Sequence, residues 1–292
     1  MFRAVEPTTR QPGWISLLAI VPLLLLLAGG LVFTFTQALS LHTPALQTGG
    51  PGLDAFRIAL ALPDLGRNLV FSLTVATISA TSSVIAGTLL AYLLWRLPGG
   101  FRRWGSAFAL PLILPHVAVG FLVITWFGQT GFVAAMLEQV GLAGFYRSPL
   151  FRGDGAGVIV AYLYKSAPFV LFLVLPVLRK ISPGYLQTAR MLGAGEVRGF
   201  ITVILPRLLP AVGASWVILF VYSFGAYDLP FIVGESSPRM ISLYLYRLYF
   251  ARPIAERPVA AALLTLVCLM GITMVVIYAR LVSRLEERER RL

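Results

Sequence analysis

Cysteine is almost missing from this chain. Cys268 is the single one and sits inside an apolar run, so neither a disulfide framework nor a cysteine metal cluster can be built. Histidine is nearly as scarce: His42 and His116 stand too far apart to suggest a metal site or a base with its nucleophile, and no Ser/His/Asp set presents itself. Charge is short as well. Only 12% of the residues are charged, against about one quarter in soluble domains. A Gly-x4-Gly-Lys-Ser/Thr loop that would cradle a nucleotide phosphate is absent, and so are the paired, interrupted repeats that mark many secondary transporters. These gaps weigh against a metalloenzyme, a hydrolase and a nucleotide-hydrolysing chain. No catalytic residue and no metal ligand is expected.

What fills the chain instead is hydrophobic, at 58% of 292 residues. Residues 14–35 form an uninterrupted apolar segment, as long as the roughly 20 residues with which a helix crosses a bilayer core. It exceeds a signal-peptide core and reads as an uncleaved anchor. Further apolar runs over 69–95, 104–127, 157–178, 208–233 and 259–282 make six spans and predict an all-α polytopic membrane protein with both termini on one side. The domain reading is a first part, 1–66, holding a tail, the first span and an outer loop, then a core of five spans, 67–282, and a charged tail, 283–292. The net charge of +12 would suggest nucleic acid in a soluble chain. Here, with the N-terminus inside, 15 of the 24 lysines and arginines fall in inner segments and eight in outer ones, so the excess of inner positive charge predicts cytoplasmic termini. The outer stretches 37–66 and 128–156 read as surface connections. The tail from Arg280 onward, with Glu and Arg at helical spacing, reads as a solvated helix end.

Between the fourth and fifth spans lies a polar, basic, glycine-punctuated segment, 187–210. Ser182 with Pro183 supplies a helix start, because the hydroxyl can accept a first-turn amide and proline needs no donor there. A short helix then runs to about Leu192, and Gly193 follows where a left-handed, helix-ending residue is cheapest. Gly195 to Phe200 can make another turn before Leu205-Pro206 opens the next apolar run. The product is a bent helical knuckle.

This knuckle resembles the coupling loop of the permease subunits of type I ABC importers, whose signature is Glu-Ala-Ala, a glycine one turn on, and a downstream Ile-x-Leu-Pro. Here it reads Gln187-Thr188-Ala189, then Gly193 with Ala194, then Val203-Ile204-Leu205-Pro206. Gln187 replaces the family glutamate, Thr188 its first alanine, and the β-branched residue is shifted. The resemblance implies that Gln187, Thr188, Ala189, Gly193, Ala194, Leu205 and Pro206 serve ATPase coupling, with Ala189 on the face that enters the ATPase. It implies a multi-pass protein of the bacterial inner membrane whose partners are two cytoplasmic ATPase subunits, a second permease, identical or paralogous, and an extracytoplasmic solute-binding protein. ATP and Mg would be bound by the ATPase; no cofactor is expected in this chain, and no nucleic-acid partner.

Within the spans, Asn68, Ser72, Ala76, Ser79, Ser83 and Ala86 form a small, weakly polar stripe, suited to close packing against a sister helix or to lining a path. Pro111, Pro115, Pro168 and Pro176 predict kinked, interior third and fourth helices. Lys165 in the fourth span and Asp228 near the outer end of the fifth must face protein or water, since an ionised group in hydrocarbon costs at least about 3 kcal/mol. Tyr227 and Asp228 lie where the family resemblance puts the gate, so Lys165, Tyr227 and Asp228 are the candidate path residues. The solute expectation is a small polar or charged molecule such as a polyamine, with sulfate, thiamine, iron or sugar as alternatives.

Overall fold

The computed structural model describes residues 13–41, 52–97, 99–142, 144, 146–182 and 184–290, and of 13–19, 100–104 and 281–290 the backbone alone. The readings placed on Arg3, Arg10, His42 and Pro183 lie outside them. The described residues are helical, with no strand, and six segments are long and apolar enough to span a membrane. The all-α polytopic class therefore stands. The chain divides into two compact units: one joins the chain up to Leu62 to Arg247–Leu269, the other joins Pro63–Tyr246 to the chain from Met270 on.

In the first unit α1 (Gly13–Ala38) exposes Leu23 to Leu27 to the surroundings, as a lipid-facing anchor must. Its end touches an aromatic ring of the next helix, and a cation–ring contact lies elsewhere in the unit. Phe35 meets Phe56 of α2 (Asp54–Leu60) at 6.5 Å between centroids, and the Arg257 guanidinium lies 5.0 Å from the Tyr249 ring.

The second unit is organised on α3 (Leu65–Arg96) and α7 (Ala156–Lys180). Small residues let them approach: a Cβ on Gly87 would lie 2.5 Å from Val170 Cβ and clash with the Ala167 carbonyl. Val75, Val158, Ala161 and Tyr162 continue that seam into a core shared with Val119, Leu229 and Met240. The Asn68–Ser72 end of the small stripe does something more specific. Ser72 Oγ accepts the Ile241 amide at 2.7 Å and Asn68 Oδ1 accepts the Arg239 amide at 3.0 Å, so these two side chains receive orphan donors at the start of α12 (Ile241–Phe250).

Three expectations are corrected. The run 104–127 is no single kinked helix but α4 (Gly100–Ile113) and α5 (His116–Phe127), because Leu114 turns extended ahead of Pro115, which has no amide to continue the ladder. The run 208–233 likewise divides. α10 (Leu205–Gly225) stops at extended Ala226, and α11 (Asp228–Val233) restarts with Pro230 in its first turn, where a missing amide costs nothing. The stretches read as connections also carry structure: α2 and α12, and α6 (Phe132–Gln139), which with α5 makes the third apolar segment His116–Gln139 in place of the expected 104–127. By contrast α7 runs unbroken through Pro168 and Pro176. α13 (Arg257–Arg290) carries the chain to its charged end as one helix.

Candidate functional site

The knuckle forms as its residues dictate. Ser182 Oγ accepts the Gly184 amide at 3.3 Å and α8 (Gly184–Met191) follows. Gly193 takes φ +84°, and two amides close the helix end: Ala194 N–H donates to the Ala189 carbonyl and Gly193 N–H to the Arg190 carbonyl, both at 2.9 Å. That pair of bonds is the Schellman arrangement. A second turn, α9 (Glu196–Gly199), leads into a π-helical turn, Phe200–Ile204, and so into α10.

Ala189 faces inward. It is buried, beside Gly199, where an added Cβ would lie 4.0 Å from the Ala189 Cβ and 3.1 Å from Leu186. In the permease by itself Ala189 is thus turned away from solvent, and its expected place on the face that enters the ATPase stays a proposal. Thr188 is exposed with its hydroxyl donating to the Gly184 carbonyl at 3.0 Å, and Gln187 is exposed. Ala194 and Leu205 are half-buried and Pro206 is exposed. The outermost apolar side chains are ones that the motif does not name: Met191 is 87% exposed and Leu192 83%. Glu196 ties the knuckle to α3. Its carboxylate accepts two bonds from Arg96, 2.5 Å from Nη1 and 2.9 Å from Nη2, and a third from Arg190 Nη2 at 2.8 Å.

A second site lies at the α4–α5 break. Pro115 leaves the Pro111 carbonyl without a helical donor, and Lys165 Nζ supplies one at 3.2 Å while also donating to the Leu114 carbonyl at 2.5 Å. Beside it His116, first residue of α5, shares a hydrogen bond with the Tyr222 hydroxyl of α10. Lys165, Ser166, His116 and Tyr222 line one cleft of about 220 Å³, otherwise walled by Leu112, Phe169, Ile218 and Leu219. Of the three path candidates, only Lys165 is in this lining. Asp228 is exposed at the start of α11, and Tyr227 stacks on Phe231 at 5.2 Å and packs on Tyr246 at 4.6 Å. His116 and Tyr222 were not singled out as path residues from sequence; the only hint was a histidine following Leu-Pro inside an apolar run.

A bent helical knuckle between two spanning helices, with a largely apolar cleft bordered by Lys165 and His116 at a helix break, suits a membrane translocation subunit. The chain belongs to the family described as the binding-protein-dependent transport system inner membrane component, matched over residues 83–288. It is 31% identical over 206 residues to the sulfate transport system permease protein CysT of Salmonella typhimurium, covering 67% of this chain and 72% of that one. To the molybdenum transport system permease protein ModB of Escherichia coli K12 it is 30% identical over 161 residues, covering 54% and 67%. A solved bacterial ABC transporter involved in the import of the acidic polysaccharide alginate shares the fold, with a TM-score of 0.74 at 21% identity over 93% of this chain and 94% of that one. The protein is thus a multi-pass permease subunit of a binding-protein-dependent ABC importer, a transport subunit and not an enzyme. It works with a binding protein and with separate ATPase subunits.

Proposed function

We propose that this permease carries a tetrahedral oxyanion, sulfate or molybdate, in place of the polyamine that the sequence suggested. The observation that carries the reading is the ammonium of Lys165, set beside His116 in a cleft whose walls are otherwise largely apolar. Lys165 has three donors, of which two are committed to carbonyls, so one remains for an anion. The sulfate and molybdate permeases among its relatives support the same class. Asp228, the acidic group that favoured a cation, is outside that lining, though near enough to interact electrostatically with His116 and Tyr222.

In the same reading two permeases form the path, each knuckle seats on one of two cytoplasmic ATPase subunits, and both termini are cytoplasmic. Gln187, Thr188, Met191 and Leu192 make the outward contact, while Ala189, Gly193 and Ala194 hold the bend that presents them. ATP and Mg are bound by the ATPase, and saturable nucleotide crosslinking to the permease alone would contradict this. The solute test is ATP hydrolysis by the complete complex, reconstituted with its own binding protein. Sulfate or molybdate is expected to stimulate it and putrescine is not; stimulation by putrescine alone overturns the oxyanion reading.

A further inference from the structure

Four features mark a continuous physical line from the knuckle to the cleft. At its inner end Glu196 receives the guanidinium of Arg96, the last residue of α3, in the two-bond geometry that fixes direction as well as distance. Arg190 bonds the same carboxylate, so α8 and α9 are held by one group. Beside this clamp the Tyr92 ring of α3 meets Phe200 at 4.6 Å, where the π-helical turn begins. α3 then runs 32 residues, about 48 Å at 1.5 Å per residue. Nine residues before Arg96 it is locked to α7 at Gly87, where the Ala167 carbonyl and Val170 leave no room for a side chain. Two residues from Ala167, α7 presents Lys165, whose ammonium holds the two carbonyls at the α4–α5 break.

We propose that the Arg96–Glu196 pair is the link through which a displacement of the knuckle reaches α3, and through the α3–α7 seam the Lys165-held break that walls the cleft. The inference rests on the reading that the knuckle contacts the ATPase. Both partners are water-accessible, the Glu196 side chain being 59% exposed and that of Arg96 33%, and accessible ion pairs contribute little to stability. A two-bond, two-arginine arrangement there acts by orientation. Glu196 is accordingly a positioning residue, not a contact of solute or nucleotide. Without it the knuckle remains joined to α7 and α10 through the backbone and keeps the Tyr92–Phe200 ring contact with α3, but loses its charged hold on that helix.

The test uses the whole complex with its ATPases, in a Cys268→Ser background carrying Ile218→Cys in the cleft wall. The readout is the rate at which a water-soluble maleimide labels that cysteine with and without ATP. In the parent the two rates are expected to differ. In Glu196→Arg and in Arg96→Glu the difference shrinks by about fivefold or more, the lower end of ordinary coupling between sites, while the ATPase still co-purifies. The double variant Glu196→Arg/Arg96→Glu restores it. An unchanged nucleotide response in both single variants, loss of the ATPase from them, or no rescue in the double variant each overturns the link. A parallel Leu192→Asp complex separates the two ideas: if it keeps its ATPase in full, the contact reading fails, whatever the clamp variants do.

Discussion

Lys165 Nζ donates to the carbonyl of Pro111 at 3.2 Å, the acceptor from which Pro115 withholds a helical amide. A charge deep in an apolar span is thereby explained by its chain partners before any solute is considered. The helix break and the lysine are two halves of one arrangement, since the proline creates the vacancies and the ammonium fills them.

Replacing the lysine tests that pairing. Lys165→Met keeps a long side chain but leaves two carbonyls without donors, at about 1–3 kcal/mol for an unmet buried group. The unfolding midpoint of the purified permease in detergent is expected to fall, with Lys165→Arg recovering much of the loss. A Lys165→Met chain as heat-resistant as the parent would show that the carbonyls find other donors.

Gly87 sets the distance between α3 and α7. Gly87→Val puts branched carbon where Val170 Cβ stands 2.5 Å from even the first added atom, and overpacking of this kind costs about 1–3 kcal/mol. Thermal unfolding should register that loss, and Gly87→Ala should register a smaller one. Equal stability of all three chains would mean that the seam yields freely.

Ala189 supplies a third prediction. Ala189→Asp places a carboxylate beside Gly199 inside the knuckle, at about 3–5 kcal/mol for an uncompensated buried charge. At 1.4 kcal/mol per tenfold, that is roughly two to three and a half decades in the population of the intact bend. Limited proteolysis of the isolated permease should cut the segment 184–204 far faster than in the parent. If the isolated variant resists protease and fails only in binding the ATPase, Ala189 is an interface residue after all.

Glu235, outside the spans, gives a pH dependence. The side chain is 6% exposed, with one oxygen accepting the Gly155 amide at 3.0 Å and the other without a partner among the described residues. Burial, with a smaller push from Asp154, raises its pKa above the ordinary value of 4.5. The folded chain thus holds this proton more tightly than the unfolded one. Its stabilising contribution is complete below 4.5 and is lost as pH rises through the raised folded value. Glu235→Gln, still able to accept from Gly155, should flatten the pH profile of thermal unfolding and be more stable than the parent at neutral pH. An unchanged profile would mean that the carboxylate is solvated.

Much of this was legible beforehand. Apolar length alone announces six spans, and Gly193 predicts its own left-handed turn because no other residue is as cheap there. Other features could not be read. A proline kink and a helix break leave the same mark on a hydropathy pattern, so the separation of α4 from α5 stayed hidden. A small residue such as Ala189 permits close approach equally to a partner's backbone and to its own Gly199. The His116–Tyr222 pair spans 106 residues of sequence, and its apolar surroundings carry no periodicity that would join them. Asn68 and Ser72 looked like part of a packing stripe because hydroxyl and amide groups that cap a distant helix have the same size as those that merely fit against one.

The π-helical turn at Phe200–Ile204 has a consequence for sequence change. It takes up one residue beyond the α-helical count at the joint between the knuckle and α10. Deleting a single residue there would let the turn tighten to regular helix and swing everything before it by about 100° around the axis of α10. Met191 and Leu192 would then point to a different quarter, although no side chain of theirs had been altered. Length between Gly193 and Pro206 is consequently under tighter constraint than the identity of most residues within it.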